Sequence, residues 1–156
     1  MNVGAYFLDT SALVKRNMQE IGTAWVRELT RADAPHDLYI ARISVVELIA
    51  AISRRERGGH LTPSQGAAVI GHFRRRVSRR YIVVELSPAL FDDASHLARK
   101  HGLRGYDAVQ LAAAAALDRP RAARGLPPLT LVSADAELNR AASAEGLSVE
   151  DPNQHP

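Results

Sequence analysis

Residues 5–15 read "AYFLDTSALVK": four apolar residues closed by a carboxylate, Asp9, and then two hydroxyls, Thr10 and Ser11. An apolar run of this length suits a buried strand, and the "SALVKR" behind it has the pattern of a helix. The carboxylate at the junction has two readings. An Asp or Thr oxygen there caps the new helix by accepting a hydrogen bond from an orphan backbone N–H. A charge just past a buried strand also stands where open α/β sheets hold their ligands.

Similar apolar runs recur at 38–41 (LYIA), 81–86 (YIVVEL), 129–132 (LTLV) and, shorter, 147–150 (LSVE). Helical patterns fill the intervals, at about 11–17, 22–31, 44–57, 63–79, 88–101, 105–117 and 135–145, with Thr62 and Ser87 each standing before a Pro at a helix start. Strands alternating with helices predict an α/β fold, a small parallel sheet of four to five strands flanked by helices on both faces. The 156 residues suffice for one domain with its own core, expected over 1–150, with 151–156 (DPNQHP) as a frayed tail. The stretch 118–128, DRPRAARGLPP, reads as a Pro, Gly and Arg loop.

Composition excludes several classes. The absence of cysteine rules out a disulfide framework and thiolate metal sites, and suits a reducing compartment. The start, MNVGAYFLD, lacks the basic region and longer apolar stretch of a secretory signal and is expected to belong to the fold. The run AVQLAAAAAL at 108–117, broken by Gln110, falls short of the roughly 20 residues that span a bilayer. A cytoplasmic protein with no membrane association is the expectation. The formal charge is +3, yet the basic residues are bunched, in SRRER at 53–57 and FRRRVSRR at 73–80. Such runs are either solvated helix faces or phosphate contacts; on the second reading Arg74, Arg75, Arg76, Arg79 and Arg80 are the candidates for binding RNA.

Four carboxylates fall where chemistry would need them. Asp9 and Asp135 each follow a strand, Asp107 opens the helix YDAVQLAAAAAL, and Glu47 lies inside SVVELIAAISRR with Ile43, Ser44, Ala50 and Ala51 on its stripe. Taken singly, Asp9, Asp107 and Asp135 could be capping or first-turn acids, and Glu47 could reach solvent or Arg54. Taken together, acids converging on one sheet edge repel unless a cation sits among them. With no His or Cys cluster, an all-oxygen donor set favours Mg²⁺, with Mn²⁺ able to substitute.

The segments FLDTSALVK, ISVVELIAAISRR, LRGYDAVQLAAA and LVSADAELNRAASAEGL, in this order and at these separations, resemble the PIN domain, and specifically the VapC toxins of bacterial toxin–antitoxin pairs. The resemblance implies a metal-dependent ribonuclease whose acidic pocket is Asp9, Glu47, Asp107 and Asp135, with Asp9 and Asp107 as principal metal ligands. It places the hydroxyls of Thr10, Ser11 and Ser133 beside metal and phosphate. It also implies products ending in a 5′-phosphate and a 3′-hydroxyl, pairing of two toxin copies through helical faces, and a small antitoxin that blocks the pocket. The groove for that partner is expected between the helices at 11–31 and 44–57. Two other readings stay open: a noncatalytic RNA-binding module using the Arg runs, and a phosphoacceptor signalling domain, which would need acids before the acceptor and a Lys at a later strand end.

Overall fold

A computed structural model describes residues 3–156, so the first two residues of the expected 1–150 domain lie outside the described residues. The chain runs β1 (Ala5–Leu8), α1 (Thr10–Asn17), α2 (Thr23–Leu29), β2 (Asp37–Ala41), α3 (Arg42–Arg57), α4 (Pro63–Arg79), β3 (Ile82–Val84), α5 (Pro88–His101), α6 (Gly105–Ala123), β4 (Thr130–Val132), α7 (Ala136–Ala144) and β5 (Ser148–Glu150). A 3₁₀ turn, Pro152–Gln154, ends it. Local chemistry sets the helix starts. Asp9, Ser87 and Asp135 each accept from a backbone N–H three residues on, and Thr62 and Gln65 form a reciprocal capping box.

All strand pairs are parallel, in the order β3-β2-β1-β4-β5. Alternation along the strands divides the interior into two cores, one on each face of the sheet. Ala5, Phe7 and Leu131 pack with α5, α6 and α7, where Ala108, Leu111, Ala112 and Ala141 are buried. Leu8, Leu38, Ile40 and Val132 pack on the other side with Leu13, Val26, Leu48, Ile52 and Phe73. The expected sheet covered on both faces is therefore present. From β1 the chain builds outward through β2 and β3, then returns to the other side of β1 with β4. This reversal opens a crevice at the carboxyl ends of β1 and β4, where ligands bind in such sheets.

Two expectations need correction. The helix α6 does not stop before the Pro-rich stretch; it continues through Asp118 and Pro120 to Ala123. Proline removes one backbone donor and crowds the preceding turn at a cost of about 3 kcal/mol, but this turn is anchored from outside. Asp118 Oδ1 accepts from the Leu129 N–H at 2.8 Å, and Arg121 donates to the Pro127 carbonyl at 3.1 Å. Nor is the C-terminal stretch frayed. His155 stacks flat on Trp25 with ring centroids 4.3 Å apart, its Nε2 lies 3.0 Å from Glu150, and Pro152 is buried against α2. Gly22, at φ +85°, permits that approach: a Cβ there would stand 2.2 Å from the Pro152 carbonyl oxygen.

Candidate active site

The crevice collects the acids. Asp9, at the end of β1, is 4% exposed, and both of its oxygens are held. Oδ1 accepts from Ser11 Oγ at 2.6 Å and from the Ala12 N–H at 3.0 Å, while Oδ2 accepts from Ser133 Oγ at 2.6 Å. The two serines are themselves pinned, Ser11 Oγ accepting from the Ala134 N–H and Ser133 Oγ from the Asp135 N–H. Asp9 is thus a helix cap, as the ordinary reading has it, and also a rigid carboxylate with one further acceptor position on Oδ2. Burial is the main reason its pKa is pushed up to about 6, with a smaller contribution from Asp107; the Ser11, Ser133 and Ala12 hydrogen bonds work in the opposite direction.

Asp107 lies in the first turn of α6, half-buried, and accepts no hydrogen bond among the described residues. Its carboxyl is raised above the ordinary value by burial first, then by Asp135, with Glu47 and Glu137 adding to the shift and Arg104 opposing it. Asp135 caps α7 through the Leu138 N–H at 2.8 Å. Glu47 Oε1 accepts from Thr10 Oγ1 at 2.8 Å and from Gln110 Nε2 at 3.3 Å. None of these acids lies within 4 Å of a basic group among the described residues.

Three residues of this arrangement escape a reading of the sequence. Gln110 is buried in α6 and its amide also donates to Ser44 Oγ at 2.8 Å, tying α1, α3 and α6 together. Its signal was the single polar residue in an alanine-rich helix, three positions after Asp107 and so on the same face. Ser44 lay on the stripe of Glu47. Glu137, two residues after Asp135, is a third carboxylate acting on Asp107, beside Asp135 and Glu47.

The arginine candidates divide. Arg80 donates to the carbonyls of Arg31, Ala34 and His36, and Arg76 to that of Thr30 while lying over the Tyr81 ring, so both serve the fold by clamping the segment before β2. That segment leads into the amino end of β2, at the sheet edge opposite the acids. Arg74, Arg75 and Arg79 remain exposed. Both lysines are engaged elsewhere, Lys15 with Glu20 and Lys100 with Glu145, which leaves the phosphoacceptor reading without its lysine.

The donor set fits a hard divalent cation: oxygen ligands only, an uncompensated Asp107, and a prearranged Asp9. Among the described residues no three His, Asp or Glu side chains already stand in the arrangement that would hold a metal ion. Mg²⁺ does not require one, being commonly held by one or two carboxylates and several waters.

A family model for the PIN domain matches residues 6–144. Two relatives from Mycobacterium tuberculosis, Ribonuclease VapC45 (strain CDC 1551 / Oshkosh) and Ribonuclease VapC49 (strain ATCC 25618 / H37Rv), are each 32% identical over 143 residues, covering 92% of both chains. Among solved structures, PAE2754 from Pyrobaculum aerophilum superposes with a TM-score of 0.62 at 24% identity, covering 97% of this chain and 91% of that one. VapC20 of Mycobacterium tuberculosis, described as a sarcin-ricin loop cleaving toxin, gives 0.62 at 17% identity over 97% and 99% of the two chains. VapBC2 of Rickettsia felis, bound to a promoter DNA fragment, gives 0.63 at 18% identity over 94% and 98%. These likenesses confirm the fold.

Proposed function

The chain belongs to the PIN domain family, and from that premise we propose that it is a metal-dependent ribonuclease, the toxin of a type II toxin–antitoxin pair. The observation that carries the reading is the crevice at β1 and β4, where Asp107 stands with no basic partner among the described residues beside a buried Asp9 whose carboxyl is pushed up to about 6 by burial. Carboxyls raised by burial and by neighbouring acids in one cleft, with no basic group beside them, mark a site awaiting positive charge. Mg²⁺ is the proposed cofactor, replaceable by Mn²⁺, with Asp9 and Asp107 as principal ligands and Asp135 and Glu47 completing the shell directly or through water.

When bound, the cation supplies positive charge against the scissile phosphate and acidifies a water. The protein's own residues do the rest. Ser11, Ser133 and the Ala12 N–H hold the Asp9 carboxylate at fixed angle, so no reorganisation is needed as charge develops. Thr10 and Gln110 hold Glu47 by Oε1. Glu47 Oε2, Asp135 Oδ2 and both Asp107 oxygens accept no hydrogen bond among the described residues, and the acceptor among them that the cation leaves free orients the attacking water and takes its proton. Hydrolysis in this sense leaves a 5′-phosphate and a 3′-hydroxyl.

The proposed antitoxin occupies a cavity of about 460 Å³ beside the acids, lined by Thr10, Val14, Val46, Ala50 and Ala51, with Glu47 and Arg54 on its wall. The cavity lies between α1 and α3, and Tyr106 of α6 lines it where the sequence expectation had α2. An aliphatic segment fits the groove, and an Arg at its end would replace the cation's charge. A second copy of the chain is proposed to cover the apolar face of α5 and α6, where Phe91 is 48% and Tyr106 61% exposed. No described helix is long and apolar enough to cross a membrane, and the proposed site of action is the cytoplasm. The test is Asp107→Asn, which removes no hydrogen bond among the described residues. RNA cleavage should fall at least about 100-fold, and cleavage at the parent's rate would refute the assignment.

A further inference from the structure

The surface between the end of α1, α2 and the middle of α4 gathers positive charge that the acid pocket does not use. A cavity of about 360 Å³ is lined there by Arg16, Asn17, Arg27, Ala68, Val69 and His72. The imidazole of His72 is held below its ordinary pKa by partial burial and then by Arg16, Arg76, Arg75 and Arg27. Arg16 is depressed in the same way, by burial, Arg76 and Arg27. No carboxylate lies within 4 Å of these arginines among the described residues. Arg16 Nε is buried with no hydrogen-bond partner.

Packing explains part of this. Arg27 Nε donates to the Arg16 carbonyl at 3.2 Å, at the end of α1 where a cation suits the helix dipole, and Arg76 belongs to the clamp before β2. It does not explain why Arg16, Arg27 and the exposed His72 line one cavity with no counter-charge, with Arg75 one turn beyond His72 on α4 and acting on it. Donors in such a field remain costly until an anion satisfies them.

We infer that this cavity binds a backbone phosphate of the RNA strand whose scissile phosphate occupies the acid pocket, with Arg16, Arg27 and His72 of its lining as donors and Arg75, on the same face of α4 as His72, joining them from beside it. The inference rests on the ribonuclease reading. Helix α1 links the two places: Thr10 bonds Glu47 at the acids, and Arg16 follows six residues later, about 9 Å along the axis. A strand leaving the pocket beside α1 covers that distance in a few nucleotides. Guanidinium forks grip phosphate and carry no base code, so the contact positions the strand rather than selecting its sequence.

The test is the anisotropy of a fluorescein-labelled single-stranded RNA in EDTA, where cleavage is suppressed, over a salt series. The full chain is compared with Arg27→Gln, Arg75→Gln and a control, Arg124→Gln, exposed at the far end of α6. Arg27→Gln and Arg75→Gln should each flatten the slope of log K against log salt by about 0.7, and Arg124→Gln should not. In the parent, RNA should raise the pKa of His72 measured by NMR. Unchanged slopes in both variants would overturn the proposal, as would an equal loss in the control, which would mean diffuse attraction. Inorganic phosphate moving His72 as far as RNA does, at equal phosphate concentration, would make this a free-anion site and overturn the strand assignment. Absence of cleavage by the parent in Mg²⁺ would remove the premise instead, and the EDTA slopes separate that failure from this one.

Discussion

Replacing Asp9 with Asn should stabilise the metal-free protein while abolishing cleavage. The Asp9 carboxyl is pushed from 3.8 to about 6, chiefly by burial. Its folded pKa therefore exceeds its unfolded one, so between about pH 4 and 6 the folded state binds more protons and stability falls as pH rises. Above pH 6 the cost is complete, about 3 kcal/mol from the difference of roughly two units. Asn keeps an acceptor for Ser11 and the Ala12 N–H but loses the one that faces Ser133, a loss of about 1 kcal/mol.

The net gain, about 2 kcal/mol, corresponds to a melting temperature higher by roughly 4–8 °C for a chain of this size. Thermal melts in EDTA at pH 7.5 and pH 4.5 measure it. The gain should be present at pH 7.5 and shrink at pH 4.5, where the parent's carboxyl is already protonated. A lower melting temperature for Asp9→Asn at pH 7.5, or a gain that ignores pH, would refute the reasoning and leave Asp9 as a cap alone.

Two further outcomes follow from the site and the clamp. Gln110→Met keeps the volume but releases Glu47 and Ser44; it should change stability by no more than about 1 kcal/mol and reduce RNA cleavage by about 10-fold, so a parental rate would deny Gln110 its positioning role. Arg80→Ala removes three hydrogen bonds to the carbonyls of Arg31, Ala34 and His36 and should lower the melting temperature by about 4–8 °C, for a loss of about 2 kcal/mol, with the salt slope of RNA binding unmoved.

The strands were legible because each is a short apolar run closed by polar or turn residues, and the register that makes Leu8 and Phe7 face opposite cores follows from alternation alone. Asp9 and Asp135 were legible as a pair for the same reason: each ends or follows a strand of a parallel sheet. The end of α6 was not, because Pro120 signals a break and the anchors that override it, Leu129 and Pro127, are tertiary partners. The docked tail depends on the Trp25–His155 stack and on Gly22, contacts with no local pattern. The division of the arginine run into anchored and exposed members was hidden as well. Arg76 and Arg80 differ from Arg74 and Arg75 only in which carbonyls and charges the fold brings to them.

The central claim, that the acids at the β1–β4 crevice work by holding a divalent cation, is tested most directly by titrating chelator-treated protein with Mg²⁺ or Mn²⁺. RNA cleavage and melting temperature are followed in the same samples. Cleavage should be absent in EDTA and return with the metal, over the concentrations at which the melting temperature rises, because a ligand that prefers the folded state stabilises it in proportion to its occupancy. Full cleavage by the chelated protein, with no shift in its melting temperature on adding metal, would contradict the account.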